Sequence, residues 1–372
     1  MKCKLSDICS FRKGKIAVEK LNTQNYISTE NMLPNKGGIT EASSLPTVSL
    51  IQEYKEGDVL VSNIRPYFKK IWQAKYDGGC SNDILVFVPK SNTDRNFLYY
   101  VLADDDFFTY SMATSKGTKM PRGDKSSIMQ YEVPMVDLHT QKKIASILKS
   151  LDEKIELNNV INNNLEQQAQ ALYQQMFIDN ASSNWKEGTL SDIANITMGQ
   201  SPSGSSYNED GSGTIFFQGR AEFGFRFPSV RLYTTEPKRI ACANDTLMSV
   251  RAPVGDLNVA HTACCIGRGL AAIHSKNNHQ SFVLYTMHSL KKRLDIFNGE
   301  GTVFGSINRN SLNEMPLLMP SSEKLDEFEK LVAPMDAAIR TNYDEICHLE
   351  QLRDTLLPKL MSGELDVSNI EI

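Results

Sequence analysis

The segment TLSDIANITMGQ, residues 189–200, repeats the opening of the chain, where KLSDICSFRKGK occupies residues 4–15. Further segments recur in the same order, and the last two pairs share an offset of 184 residues. The recurring pairs are EGDVLVSNIRP (56–66) with ANDTLMSVRAP (243–253), KGTKMPRGDKSSIMQYEVPMV (116–136) with EGTVFGSINRNSLNEMPLLM (300–319), LDEKI (151–155) with MDAAI (335–339), and LEQQAQAL (165–172) with LEQLRDTL (349–356). This order predicts two similar structural units in one chain.

Each repeat ends in a stripe of mostly apolar residues with a 3.5-residue period, which is typical of a coiled coil. The first stripe runs from Ile144 to Met176, and adding 184 carries it to Phe328 and Leu360. A matching asparagine in each stripe is expected to set register at some cost in stability. The alternative is that each stripe packs on its own globular domain. The predicted seam residues are Leu151, Ile155, Asn158, Leu165, Leu172, Met335, Ile339, Asn342, Leu349 and Leu356.

Short strand-like runs such as ILVFVP and TIFFQG, separated by glycine-rich turns, precede each stripe. The predicted fold class is therefore α+β. We expect two mixed α/β domains in tandem pseudo-repeat, separated and held by two long antiparallel helices that form a coiled coil. The predicted boundaries are 1–136 for the first domain, 137–180 for the first long helical region, 181–320 for the second domain, 321–365 for the second helical region and 366–372 for a tail.

Composition and motifs argue against several classes of protein. A net charge of −4 provides no global basic field for nucleic acid, although local basic loops remain possible. Seven cysteines without a C-x-x-C pair favour reduced thiols, and no apolar run predicts a signal peptide or a membrane span, so we expect a cytoplasmic chain without a membrane partner. Phosphate-loop, zinc and nucleophile motifs are absent from the sequence, which predicts no catalytic residue, metal or cofactor.

The order of these segments resembles the specificity subunits of type I restriction–modification systems. The resemblance rests on LSDI, on YISTENML (26–33) and FFQGRAEF (216–223), on the G-T loops that lead to VP or MP, and on QKKIASILKSLDEKI (141–155). It implies a non-catalytic chain whose two target-recognition domains read a bipartite, asymmetric site in double-stranded DNA. It also implies that the chain holds two methylation subunits, which restriction subunits then join.

Base recognition requires side chains with paired donors or acceptors on loops, supported by cations that contact phosphates. Arg65 and Arg251 are the leading candidates because they follow matching strands. The alternative for each candidate is a solvated surface side chain. Gly117, Thr118, Gly301 and Thr302 are expected to shape loops. The DNA-binding candidates are Arg65, Lys69, Lys119, Arg122 and Lys125 in the first domain, and Gln218, Arg220, Arg251, Ser306, Asn308 and Arg309 in the second.

The helices carry apolar residues off the seam, which are expected to form a second face for partner subunits. These residues are Ile147, Val160, Ile161, Leu331, Leu352 and Leu357. Helices of about 27 to 40 residues span ~40 to 60 Å, so they are expected to set the spacing between half-sites. Four residues inserted after Met176 are then expected to lengthen the spacer. Three alternative functions are a DNA-recognition module of another restriction class, a coiled-coil scaffold without DNA affinity, which the negative net charge permits, and an unrecognised hydrolase.

Overall fold

The computed structural model describes residues 2–299 and 305–367, which form two compact units. The first unit combines the chain up to Leu157 with the chain from Glu345 onward, and the second comprises Asn158–Asp344. Each long helix is therefore divided between the two units. Among the described residues, no helix combines the length and the apolar character that crossing a membrane requires.

The first repeat contains ten strands and ends in a 36-residue helix. The strands are β1 (Lys2–Lys4), β2 (Cys9–Phe11), β3 (Lys15–Ala17), β4 (Tyr26–Ile27), β5 (Leu50–Tyr54), β6 (Val59–Ser62), β7 (Ile71–Gln73), β8 (Gly78–Cys80), β9 (Ile84–Pro89) and β10 (Glu132–Pro134). The helices are α1 (Leu5–Ile8), α2 (Arg95–Ala103), α3 (Asp105–Ala113), α4 (Lys125–Ile128) and α5 (Leu138–Tyr173). The strands form sheets of order β2–β9–β6–β7 and β3–β5–β8–β4, and β1 pairs with β10.

The second repeat reproduces this plan. Its strands are β11 (Lys186–Thr189), β12 (Ala194–Met198), β13 (Tyr207–Asn208), β14 (Thr214–Phe217), β15 (Leu232–Thr234), β16 (Ile240–Ala241), β17 (Thr246–Ser249), β18 (Leu257–Val259), β19 (Cys264–Ile266), β20 (Leu270–Ser275) and β21 (Pro316–Met319). Its helices are α6 (Leu190–Ile193), α7 (Gln280–Ser289), α8 (Lys291–Leu294), α9 (Arg309–Asn313) and α10 (Ser322–Ser362). The sheet β12–β20–β17–β18 matches β2–β9–β6–β7, and β11–β21 matches β1–β10.

The repeated LSDI segment forms the same one-turn helix in both repeats. In α6 the Asp192 carboxylate accepts the Thr189 backbone N–H at 2.7 Å, and in α1 Asp7 accepts that of Lys4 at 2.9 Å. A carboxylate at the third helical position satisfies a backbone donor that the short helix leaves unpaired. The leucine of each segment is fully buried, so the turn is fixed on both its polar and its apolar sides.

The long helices run antiparallel within each unit. In the first unit Asp152 pairs with Arg353 at 2.9 Å, and Lys154 lies 3.5 Å from Glu345. In the second unit the Asn342 side-chain amide donates to Asn162 at 2.8 Å. None of the ten predicted seam residues is exposed. Two mixed α/β domains in tandem with long antiparallel helices confirm the predicted fold class.

Each helix also packs on the domain cores, although not only on its own domain as the alternative interpretation expected. Ile144 and Leu148 of α5 and Leu360 of α10 belong to the core of the first unit. Tyr173 of α5 and Phe328 of α10 belong to the core of the second. The apolar stripe thus serves the coiled coil and the domain cores together.

Candidate nucleic-acid interface

In the first domain, the structure brings two separately predicted loops together. Strand β6 leads into Arg65, whose backbone N–H donates to the Pro121 carbonyl at 2.8 Å. The neighbouring Ile64 forms an isolated bridge with Arg122. Two predicted arginines, 57 positions apart in the sequence, therefore lie on adjoining loops.

The backbone at Arg65 is strained. Its φ of 50° and ψ of 66° lie in the left-handed region, which a residue with a Cβ adopts at an energetic cost. The Arg65 Nε and the Asn63 Oδ1 are buried and have no hydrogen-bond partner within the described chain. Strain and unsatisfied polar atoms concentrate at functional sites, where a ligand completes the missing contacts.

The other candidate cations of the first domain differ in whether they pair with a carboxylate. Lys69 pairs with Asp105 at 2.7 Å, and Arg122 pairs with Asp83 at 3.0 Å. Lys119 is exposed, and the Lys125 ammonium lies 5.9 Å from the centre of the Phe11 ring. A phosphate group that contacts Lys69 or Arg122 would have to share the cation with these carboxylates.

The second domain repeats the arrangement of loops. Arg251 follows β17 and forms an isolated bridge with Ser306, which is the counterpart of the bridge between Ile64 and Arg122. Ala252 donates its N–H to Gly305 at 3.0 Å, which extends the pairing between the two loops. Arg251 and Ser306 are both exposed. The predicted loop residues Gly301 and Thr302 lie outside the described residues.

The remaining candidates of the second domain are positioned by local contacts. Gln218 is exposed, and its carbonyl accepts the Gly269 N–H at 3.3 Å. Arg220 pairs with Asp256. Asn308 caps α9 by accepting the Ser311 N–H at 2.9 Å, which fixes the orientation of its side chain. Arg309 is exposed at the start of the same helix. Contacts of these side chains with DNA bases or phosphates stay a prediction.

Carboxylates at the interface serve structural roles. Asp104 caps α3 by accepting the Asp106 N–H at 3.1 Å, and Asp105 is shared by Lys36 and Lys69. The part of the chain that the structure describes contains no group of histidine, cysteine and carboxylate side chains suited to a metal ion.

Sequence reasoning missed Arg226, a buried arginine on a loop of the second domain. Its side chain is 4% exposed, pairs with Asp336 of α10 and lies 3.3 Å from Glu166 of α5. Burial alone would lower the pKa of Arg226, but Asp336, Tyr285 and Glu166 outweigh it, so the pKa lies above its ordinary value. No periodicity or motif marks an arginine whose partners lie on two distant helices.

The chain was compared with known proteins. The family model of the type I restriction modification DNA specificity domain matches residues 1–167 and 182–344. The type I restriction enzyme MjaX specificity subunit of Methanocaldococcus jannaschii is 29% identical over 342 residues, which are 84% of this chain and 79% of that protein. The HindI specificity subunit of Haemophilus influenzae is 23% identical over 430 residues, covering 91% and 94%.

The crystal structure of a type I restriction–modification S subunit from M. genitalium aligns with a TM-score of 0.65 at 17% identity. The alignment covers 97% of this chain and 96% of that one, and it shows a shared fold. The family match spans both repeats, each of which carries the paired loops described above. The resemblance predicted from the sequence is confirmed, and the chain belongs to the type I restriction modification DNA specificity family, with two specificity domains in tandem.

Proposed function

We propose that this chain is the recognition subunit of a type I restriction–modification complex and that each domain reads one half of a bipartite, asymmetric DNA site. The observation that carries this proposal is the bridge that recurs in both domains, Ile64 with Arg122 and Arg251 with Ser306. The same framework presents different side chains in the two domains. Different side chains on one framework should select different half-sites.

Arginine is suited to this role because its planar fork can donate two parallel hydrogen bonds to guanine O6 and N7. Lys69, Lys119 and Lys125 would contribute phosphate contacts that position the domain without selecting a sequence. The chain itself would be non-catalytic, and DNA methylation and cleavage would belong to partner subunits.

The exposed apolar residues of the helices support a role in docking two methylation subunits. Leu157, Val160 and Ile161 of α5 are 52%, 50% and 37% exposed, and Leu331 and Leu352 of α10 are also exposed. A partner that covers these side chains removes apolar surface from water, which stabilises the complex.

Two members of the predicted second face, Ile147 and Leu357, are not exposed. Leu357 is buried in the core of the first unit, and Ile147 is half-buried against the same core. Both follow the helix period, but the domain covers their side of the helix. The five exposed residues remain as docking candidates, two in the first unit (Leu157 and Leu352) and three in the second (Val160, Ile161 and Leu331).

Co-expression with the methylation subunits tests the proposal. We expect one specificity chain to co-purify with two methylation subunits, and this complex to methylate a single bipartite motif in cellular DNA. The chain alone should bind DNA weakly. A stable lone chain that binds its target tightly would contradict the assembly model. A complex without sequence-dependent DNA retention would favour a scaffold.

A further inference from the structure

Tyr67 and Phe68 form an exposed aromatic pair that follows Arg65 and Pro66. The side chains are 49% and 38% exposed, and their ring centroids lie 4.7 Å apart. They occupy a single 3-10 turn, Pro66–Phe68, in which Pro66 is the buried residue. Aromatic side chains usually bury most of their surface, so two neighbouring exposed rings on a loop of the candidate interface indicate a contact surface.

The aromatic turn is held rigidly. Asn35 donates its N–H to the Phe68 carbonyl at 2.8 Å, and Lys36 donates to the Lys69 carbonyl at 2.9 Å. Asp105 holds both lysine side chains, at 2.9 Å from Lys36 and 2.7 Å from Lys69. Two loops are thus joined by backbone and side-chain contacts, so ordering the rings would cost little entropy on binding.

Backbone strain concentrates at this place. Among the described residues, six that are not glycine have a positive φ. Four of them belong to these two loops: Asn35, Lys36, Arg65 and Lys69. Strain persists where surrounding structure enforces it, and it is common at ligand-binding sites. The enforced backbone is what presents the rings outward.

The charges around the rings favour nucleic acid as the occupant. Arg65, Lys69 and Lys70 flank the pair in sequence, and the Lys70 ammonium lies 5.7 Å from the centre of the Phe68 ring. Aromatic rings beside cations suit a base step, because the rings contact bases while the cations contact phosphates. The equivalent strand end in the second domain, Arg251 to Gly255, carries no aromatic residue.

We infer that Tyr67 and Phe68 pack against an opened base step of the DNA half-site bound by the first domain. This half-site is then recognised partly by how readily that step unstacks, whereas the equivalent strand end of the second domain, residues 251–255, has no aromatic pair. The inference rests on the proposed function and adds indirect readout to the direct readout by Arg65.

The test uses the full chain in complex with its methylation subunits and a duplex carrying the methylated motif. The duplex is labelled with 2-aminopurine, which brightens on unstacking, at successive positions of each half-site. The half-site of the first domain is the one that stays selective when Arg251→Ala is introduced. The test variant is Tyr67→Ala with Phe68→Ala. The matched control is Val48→Ala with Leu50→Ala, which removes two exposed apolar side chains from the same domain.

We expect fluorescence to rise at one step of the first half-site with the intact chain and the control, and to stay flat with the double variant. Affinity for the motif should fall at least tenfold, while the salt dependence is unchanged because rings release no counterions. A mismatch at the responsive step should tighten binding by the intact chain only. Tyr67→Phe, which keeps the ring, should behave as the intact chain does.

Three results would overturn the inference. Fluorescence that is flat at every position, with affinity for the double variant within twofold, would mean that the rings do not contact DNA. Loss of methylation subunits with DNA contacts intact would make the pair a protein contact. An intact complex that retains no DNA of any sequence would refute the proposed function and this inference with it.

Discussion

At the residue scale, equivalent aspartates of the two units each pair with an arginine, but the two arginines lie at non-equivalent positions in the repeats. Asp152 and Asp336 are 184 positions apart, and each accepts a hydrogen bond from a tyrosine of the neighbouring domain, at 2.7 Å and 3.0 Å. In the first unit the arginine is Arg353 of α10, and in the second it is Arg226 from a domain loop. Both repeats thus carry an aspartate at the same helix position, but the arginine that pairs with it comes from a different part of the chain.

Arg226→Ala should destabilise the second unit strongly. The change leaves Asp336 and Glu166 without their buried cation, and breaking a buried pair on one side typically costs about 3–5 kcal/mol. Denaturant titration of the full chain measures the effect. Arg309→Ala, an exposed arginine of the same unit, should change the free energy of unfolding by less than about 0.5 kcal/mol. Equal effects of the two substitutions would contradict the buried network.

Arg251→Ala should relax recognition of one half-site only. If the side chain pairs with a guanine edge, its loss costs about 1–3 kcal/mol of discrimination. Arg251→Lys is the matched control, because it keeps the charge but lacks the two-donor fork. Sequencing of methylated motifs from cells that express each variant decides the outcome. Full selectivity at both half-sites in both variants would show that Arg251 does not read a base.

At the scale of elements, the asparagine of one helix pairs with a residue that the repeat did not indicate. Asn158 and Asn342 are equivalent by the 184-residue offset, yet Asn342 donates to Asn162. Antiparallel helices reverse the order of one partner, so Asn158 and Asn342 do not face each other. Asn158 and Asn162 are both fully buried, which makes their amides costly unless they are paired.

Asn342→Leu should therefore destabilise the helix pair by about 1–3 kcal/mol, since it leaves the Asn162 amide without this partner. Combining it with Asn162→Leu should recover most of the loss, because an apolar pair replaces an apolar–polar mismatch. A double-mutant cycle on the full chain, followed by denaturant titration, measures the coupling. Additive effects of the two substitutions would exclude a direct interaction between the amides.

At the scale of the whole molecule, the units divide each helix near its middle. Met176 lies in the π-helical segment Gln174–Asp179, and the adjacent Phe177 is 4% exposed in the core of the second unit. The expectation that four residues inserted after Met176 would only lengthen the spacer is therefore wrong in its choice of site. Such an insertion would disturb packing inside a unit. The two units meet in the sequence at Leu157 and at Asp344, so we expect residues added there to leave both cores intact.

Seven residues inserted at both boundaries should lengthen the DNA spacer while both half-sites persist. A heptad keeps the 3.5-residue register and adds ~10.5 Å of helix, which is about three base pairs at ~3.4 Å each. The methylated motif of cells expressing the variant and its partner subunits reports the spacer. Insertion in α5 alone serves as control and should abolish activity, because the two helices no longer match in length. An unchanged spacer in a fully active complex would refute a spacing role for the helices.

The sequence by itself determined the tandem organisation, the long helices and the neighbourhood of the leading arginines. Internal repetition and the 3.5-residue period are local patterns, visible without any knowledge of contacts. Arg65 and Arg251 could be singled out because each follows a strand of recognisable composition. The sequence did not predict that the Arg65 loop pairs with residues 121–122 or that the Arg251 loop pairs with residues 305–306. Each of these loops had been identified only separately.

Only the tertiary structure decided that each helix is divided between two units, that Arg226 is a buried counter-ion and that Asn342 meets Asn162. These features depend on contacts between residues 110 and 180 positions apart. A buried charge is stabilised by the groups around it and not by its neighbours in sequence. The sequence repeat shows which residues are equivalent. It does not show which residues contact each other once the two helices run antiparallel.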